Sequence, residues 1–196
     1  MPLVRITDVG KDARLGLWRM EEDSTAFGVW SDEAARLYKS AGRQLEYVCV
    51  RALLREMLGD DIPAITHNPD GKPLLSNGLA ISISHTRGYC AVALSASHEV
   101  AIDIEYVSDR VGRIAHMFLR SDEVATENAS LLLHWCAKET IYKLFSFDHL
   151  RYEEIRVCPF EDREKGSFMV ENLKRSLTVD VNYEVTPDFV LTYAVM

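Results

Sequence analysis

Residues 80–105, AISISHTRGYCAVALSASHEVAIDIE, decide the fold. Ala80–Ser84 and Tyr89–Leu94 are strand-forming runs joined across Thr86–Arg87–Gly88, a short loop whose glycine suits a hairpin. After Ser97–His98 a third run, Val100–Glu105, completes a β-meander. Upstream, Arg43–Leu58 reads as a helix: Leu45, Val48, Cys49, Ala52, Leu53 and Met57 form one apolar face, and Gly59 ends it. The stretch between them, with Pro63 and Asn68–Pro69–Asp70–Gly71, has the chemistry of a loop. Downstream, residues 110–119 and 129–146 read as helices, and Val179–Val185 and Phe189–Val195 as a last hairpin around Thr186–Pro187–Asp188.

A long helix followed by antiparallel strands therefore occurs twice, at 43–105 and 129–196. This predicts an α+β protein of two pseudo-symmetric halves, residues 1–100 and 101–196, with a cleft between them. At the amino end, residues 3–7 and 15–20 read as short strands around a Gly10–Lys11–Asp12 turn. Residues 31–41 read as a short helix capped by Ser31, with Asp32 and Glu33 in its first turn.

A chain of 196 residues that is 47% hydrophobic can bury a full core. No apolar run approaches the ~20 residues that span a bilayer, and MPLVRITDVGKDARLG lacks the apolar segment of a secretion signal. The expectation is a cytoplasmic protein with no membrane partner. Cys49, Cys90, Cys136 and Cys158 lie far apart, without zinc-ligand spacing, and suit a reducing compartment. A net charge of −8 argues against nucleic-acid binding, which needs a broad basic surface. An anionic ligand must then be held by a local cluster of cations.

Four constellations could carry chemistry. In Ala101–Glu105, strand alternation places Asp103 and Glu105 on one face, roughly 6.5–7 Å apart, with Ile102 and Ile104 inward. Two carboxylates so placed suit a hard cation such as Mg²⁺, or they are the wet face of a half-buried strand. Ser84–His85, at a strand end, could contact phosphate or cap the hairpin, and no G-x-S-x-G elbow supports a serine hydrolase. Asp70–Gly71–Lys72–Pro73 lacks the glycines of a Walker loop and reads in isolation as an ordinary turn. Arg43, Arg51 and Arg55 lie on the first long helix, where Glu46 and Glu56 could pair with them in solvent. A fifth stretch, His134–Phe145 (HWCAKETIYKLF), puts Leu133, Ala137, Ile141 and Leu144 on one buried stripe. Trp135, Glu139 and Lys143 fall on another side, where a solvated Glu139–Lys143 pair is the simplest alternative.

Taken in order, G-K-P, S-H, I-D-I-E and W-x-x-K-E-x-x-x-K resemble the 4′-phosphopantetheinyl transferase superfamily. Asp103–Ile104–Glu105 and Trp135–Lys143 match its two defining motifs, and Gly71–Lys72–Pro73 and Ser84–His85 its upstream ones. The likeness runs from about residue 40 to the carboxyl end. Its two-half length is similar to the surfactin-synthetase-type class, which works as a monomer; the smaller holo-acyl-carrier-protein synthase type has a single half and trimerises.

The resemblance implies transfer of phosphopantetheine from coenzyme A to a serine of an acyl- or peptidyl-carrier protein, with release of 3′,5′-ADP. It implies that Asp103, Glu105 and Glu139 ligate Mg²⁺, and that Glu139, or a metal-bound water beside it, is the base, with Glu123 the alternative. Lys143 would offset charge on the leaving phosphate or donate a proton to it. Arg43, Lys72, Pro73, Ser84 and His85 would hold the 3′-phosphate and adenine end, with Lys138 supporting phosphate binding or structure. Trp135 is assigned to packing at the junction of the halves, or to lining the pantetheine path. Ala101 stands where the family commonly has Gly, Thr140 where it has Ala or Ser, and the first forty residues match poorly. The rival readings are a module that binds coenzyme A or a carrier without transfer, and a Mg²⁺-dependent phosphoesterase.

Overall fold

The computed structural model describes residues 2–10, 12–161 and 163–196. The chain opens with strands β1 (Leu3–Asp8) and β2 (Ala13–Arg19), followed by helices α1 (Val29–Leu37) and α2 (Ala41–Leu58). The short hairpin β3 (Ile65–His67) and β4 (Pro73–Leu75) comes next, then β5 (Ala80–Thr86), β6 (Tyr89–Ser95) and β7 (Val100–Tyr106). Helices α3 (Arg110–Phe118) and α4 (Asn128–Leu144) precede β8 (Ile155–Val157), β9 (Lys165–Asn172), β10 (Leu177–Val185) and β11 (Phe189–Val195). All pairing is antiparallel, in a four-stranded sheet β1-β2-β6-β5, a five-stranded sheet β7-β11-β10-β9-β8 and the β3-β4 hairpin.

Three apolar layers hold these elements. Val48, Cys49, Ala52, Leu53 and Met57 of α2 pack on Ile81, Cys90 and Val92 of the first sheet. Leu133, Ala137, Ile141 and Leu144 of α4, the predicted stripe, pack on Val170, Val181, Val190 and Ala194 of the second. Between the sheets lie Leu15, Leu17, Ala91 and Ala93 from one side and Ile102, Ile104 and Leu191 from the other. Helix α2 crosses its sheet at Gly16, where an added Cβ would stand 2.6 Å from Met57 Sδ and 2.7 Å from Leu53 Cδ1. It ends at Gly59, whose φ of +94° only glycine adopts readily.

The sheets also meet edge to edge. Ser82, Ser84 and Thr86 alternate along β5, and their hydroxyls accept the β7 amides of Ile102, Ile104 and Tyr106 at 3.1, 3.2 and 3.0 Å. A ladder of side-chain oxygens replaces the backbone carbonyls that would normally join two strands.

Several elements differ from the sequence reading. The first helix begins at Val29 behind Gly28, and Ser31 lies inside its first turn, where its hydroxyl accepts from Phe27 N and donates to Ser24 O. Strands β3 and β4 fall in the segment read as loop, and β8 and β9 in a stretch for which the sequence reading named no element. Three of these four are short or polar, and they gain order from the neighbours that complete their ladders. In the turn between β1 and β2, Ala13 N bonds Gly10 O at 2.9 Å, while Lys11 lies outside the described residues. No helix among the described residues is long and apolar enough to cross a membrane.

Candidate active site

Asp103 is the centre of the site. It points from β7 toward α4, on the strand face opposite Ile102 and Ile104, and is only 4% exposed, so it is no wet strand face. Its Oδ1 accepts from Ser84 Oγ at 2.8 Å and from Lys143 Nζ at 2.7 Å. Lys143 also donates to Ile102 O at 3.0 Å. The other oxygen, Oδ2, is buried with no hydrogen-bond partner. Such an orphaned anionic oxygen is costly unless something positive completes it.

Two further carboxylates stand around it. Glu105, two residues along β7, accepts from Trp135 Nε1 at 3.1 Å and from Thr86 Oγ1 at 3.3 Å. Glu139, on α4, accepts from the Tyr152 hydroxyl at 2.9 Å. Burial, and after it the charge of Asp103, holds both glutamates above the usual carboxylate range. Two glutamates so raised beside a third carboxylate mark a cluster short of positive charge.

The donor set is all oxygen, which fits a hard cation such as Mg²⁺, and the orphaned Asp103 Oδ2 is a free ligand for one. Among the described residues, however, no three His, Cys, Asp or Glu side chains converge on one ion position. Each carboxylate is instead tied to its own donor: Asp103 to Lys143 and Ser84, Glu105 to Trp135, Glu139 to Tyr152.

The remaining predicted residues separate into groups. Arg43 and His85, 3.5 Å apart from Nη1 to Nε2, lie side by side on the wall of a cavity of about 400 Å³ that Arg51, His67, Tyr38 and Tyr47 also line. Glu46 holds the pair, accepting from Arg43 Nη1 at 3.0 Å and lying 3.4 Å from His85 Nδ1. Burial, with the charges of Arg43 and Lys143, lowers the His85 pKa against the pull of Glu46. The Arg51 guanidinium stacks 3.3 Å from the Tyr47 ring centre, and burial lowers its pKa. Arg51 is therefore a half-buried cation within the cavity wall, not the solvated surface charge that its sequence context allows. Lys72 and Pro73 line a second cavity of about 150 Å³ with Lys143 and Ser146, and Lys72 is paired to Glu99 at 2.5 Å. Ile83 lines both cavities.

Ser84 and Glu123 sit differently from their sequence assignment, and Lys138 takes the structural one of its two. Ser84, 7% exposed, spends its hydroxyl on the sheet seam and on Asp103. Glu123 and Lys138 form a buried pair 2.8 Å apart, away from the three carboxylates. Glu123 also accepts from Val157 N and Arg120 N, so its oxygens are committed and it is not placed to serve as a base. Lys138 is 0% exposed and donates to Phe118 O, Tyr152 O and Ile155 O, leaving nothing for a phosphate. Trp135 does more than pack, since its indole N–H holds Glu105. Tyr152 and Thr86, both touching site carboxylates, escaped the sequence reading because no local spacing marks them.

This is the site of a mixed α+β protein whose acidic centre lies between a strand edge and a helix, beside a cation-lined cavity. Residues 99–194 match the family model described as the 4′-phosphopantetheinyl transferase superfamily, and residues 33–95 match the 4′-phosphopantetheinyl transferase N-terminal domain. The chain belongs to this superfamily and is a 4′-phosphopantetheinyl transferase. A search of curated proteins finds no match.

Proposed function

We propose that the protein moves 4′-phosphopantetheine from coenzyme A to a serine of an apo acyl- or peptidyl-carrier protein, with Mg²⁺ held by Asp103, Glu105 and Glu139. In this reading it is a monomer of the two-half, surfactin-synthetase-type class, with the α2 and α4 units as its halves. The observation that carries the reading is the buried, unpartnered Asp103 Oδ2 beside two glutamates whose pKa values are raised by burial and then by the Asp103 charge.

The serine oxygen forms a bond to the β-phosphorus of coenzyme A as the bond from that phosphorus to the bridging oxygen breaks. 3′,5′-ADP leaves and the serine proton passes to Glu139, or to a water beside it, on the face of α4 turned toward Asp103. The cation, when bound, supplies positive charge to the pyrophosphate. Lys143 then exchanges its bond to Asp103 for the leaving phosphate and offsets the charge developing there. Arg43, His85 and Arg51 bind the 3′-phosphate and adenine end, with Lys72 and Pro73 at the neighbouring cavity.

The test is Asp103→Asn and Glu139→Gln, assayed for transfer and by calorimetry with Mg²⁺. Both variants should stay folded, lose transfer and lose Mg²⁺ binding. Full activity in both would remove the metal assignment.

A further inference from the structure

We propose that Tyr152 is a positioning residue for the transfer: its hydroxyl fixes the Glu139 carboxylate, while the Trp135 indole packed on its ring fixes Glu105. The proposal rests on the reading that these glutamates hold Mg²⁺ with Asp103.

Two glutamates that repel one another, on flexible side chains, do not hold a fixed position unaided. Each here accepts a hydrogen bond from an aromatic side chain, and the two donors belong to one pair of rings in tilted contact. Tyr152 OH reaches Glu139 Oε1 at 2.9 Å, and Trp135 Nε1 reaches Glu105 Oε1 at 3.1 Å. The ring centres are 5.4 Å apart, and Phe118 meets Trp135 edge-on at 5.2 Å, so neither donor can turn without disturbing the other.

The backbone that presents Tyr152 is held just as firmly. Residues Tyr152–Glu154 form a 3₁₀ turn, closed by the bond from Arg151 N to Glu154 Oε2 at 2.8 Å. The buried Lys138 ammonium donates to the carbonyls on either side of this turn, Tyr152 O at 3.2 Å and Ile155 O at 2.9 Å, and to Phe118 O at 2.8 Å. Consecutive residues of α4 therefore grip one segment twice, Lys138 by its backbone and Glu139 by the Tyr152 hydroxyl. This gives the buried Lys138–Glu123 pair a purpose in the site that it does not touch. Partners one bond removed from a metal ligand set its orientation, and losing one typically costs about 10–100-fold in metal affinity or activity.

Tyr152→Phe keeps the ring and removes only the hydroxyl. The experiment measures Mg²⁺ binding by calorimetry and Mn²⁺ binding by electron paramagnetic resonance on the protein alone, then kcat and KM for coenzyme A. Tyr152→Phe should bind both ions about tenfold more weakly and lose about tenfold in kcat, with KM for coenzyme A and the melting temperature unchanged. A Tyr152→Phe protein with wild-type ion affinity and kcat, or one in which only KM for coenzyme A changes, overturns the inference alone. A wild-type protein that binds neither ion overturns the metal reading, and this inference with it.

Discussion

Lys138 carries a whole ammonium into the core, where Glu123 and three carbonyls satisfy it. Burial lowers its pKa, and the adjacent Glu123 opposes the shift. Removing one partner of such a pair strands the other, at a cost of about 3–5 kcal/mol. Lys138→Met should therefore lower the urea midpoint sharply, and adding Glu123→Gln should recover part of the loss. A single variant as stable as the wild type would show that the pair contributes little. At Glu105 and Glu139 the direction of the pH effect follows from their raised pKa values. The folded protein holds these protons longer than the unfolded chain, whose carboxyls titrate at roughly 4.3. Their contribution to stability is complete below that pH and is lost as pH rises through the folded values. Glu139→Gln stays neutral across the range, so it should gain stability relative to the wild type between acid and neutral pH. Thermal melts of the two proteins in a pH series, without metal, read this gap, and Mg²⁺ should close it.

At the scale of elements, the seam between β5 and β7 decides where Asp103 stands. Ser82→Ala leaves the buried Ile102 amide without an acceptor, at about 1–3 kcal/mol. Because Asp103 is held by Ser84 instead, Ser82→Ala should lower the urea midpoint and keep kcat, whereas Ser84→Ala should lower both. Equal kcat values for these two variants would separate the seam from the site. Much of this was legible in the sequence. The meander of residues 80–105 and the two long helices stand within a few residues of where periodicity puts them. The alternation Ser82, Ser84, Thr86 was visible too, but its use as acceptors for a neighbouring strand depends on which edges meet, and local sequence does not encode that. Strand β9 escaped for a related reason: Lys165–Asn172 alternates weakly, and pairing with β8 and β10 makes it a strand.

For the whole molecule, the fold brings together Asp103, Glu105, Glu139 and Lys143, the residues the motifs single out, because strand and helix periods fix side-chain direction. Glu123 and Lys138 pair in the core, which their residue types do not reveal, because they suit acid and phosphate chemistry equally well when burial is unknown. In a chain of net charge −8, Arg43, Arg51 and His85 gather on one cavity, which in the proposed reading receives the anionic co-substrate. The most direct test of the account is the intact mass of several apo carrier proteins after incubation with this enzyme and coenzyme A, with Mg²⁺ or with a chelator. The account predicts that at least one carrier gains one phosphopantetheine on its serine with Mg²⁺ and none with the chelator. Mass gain that persists undiminished in the chelator, or no gain on any carrier with Mg²⁺, would contradict it.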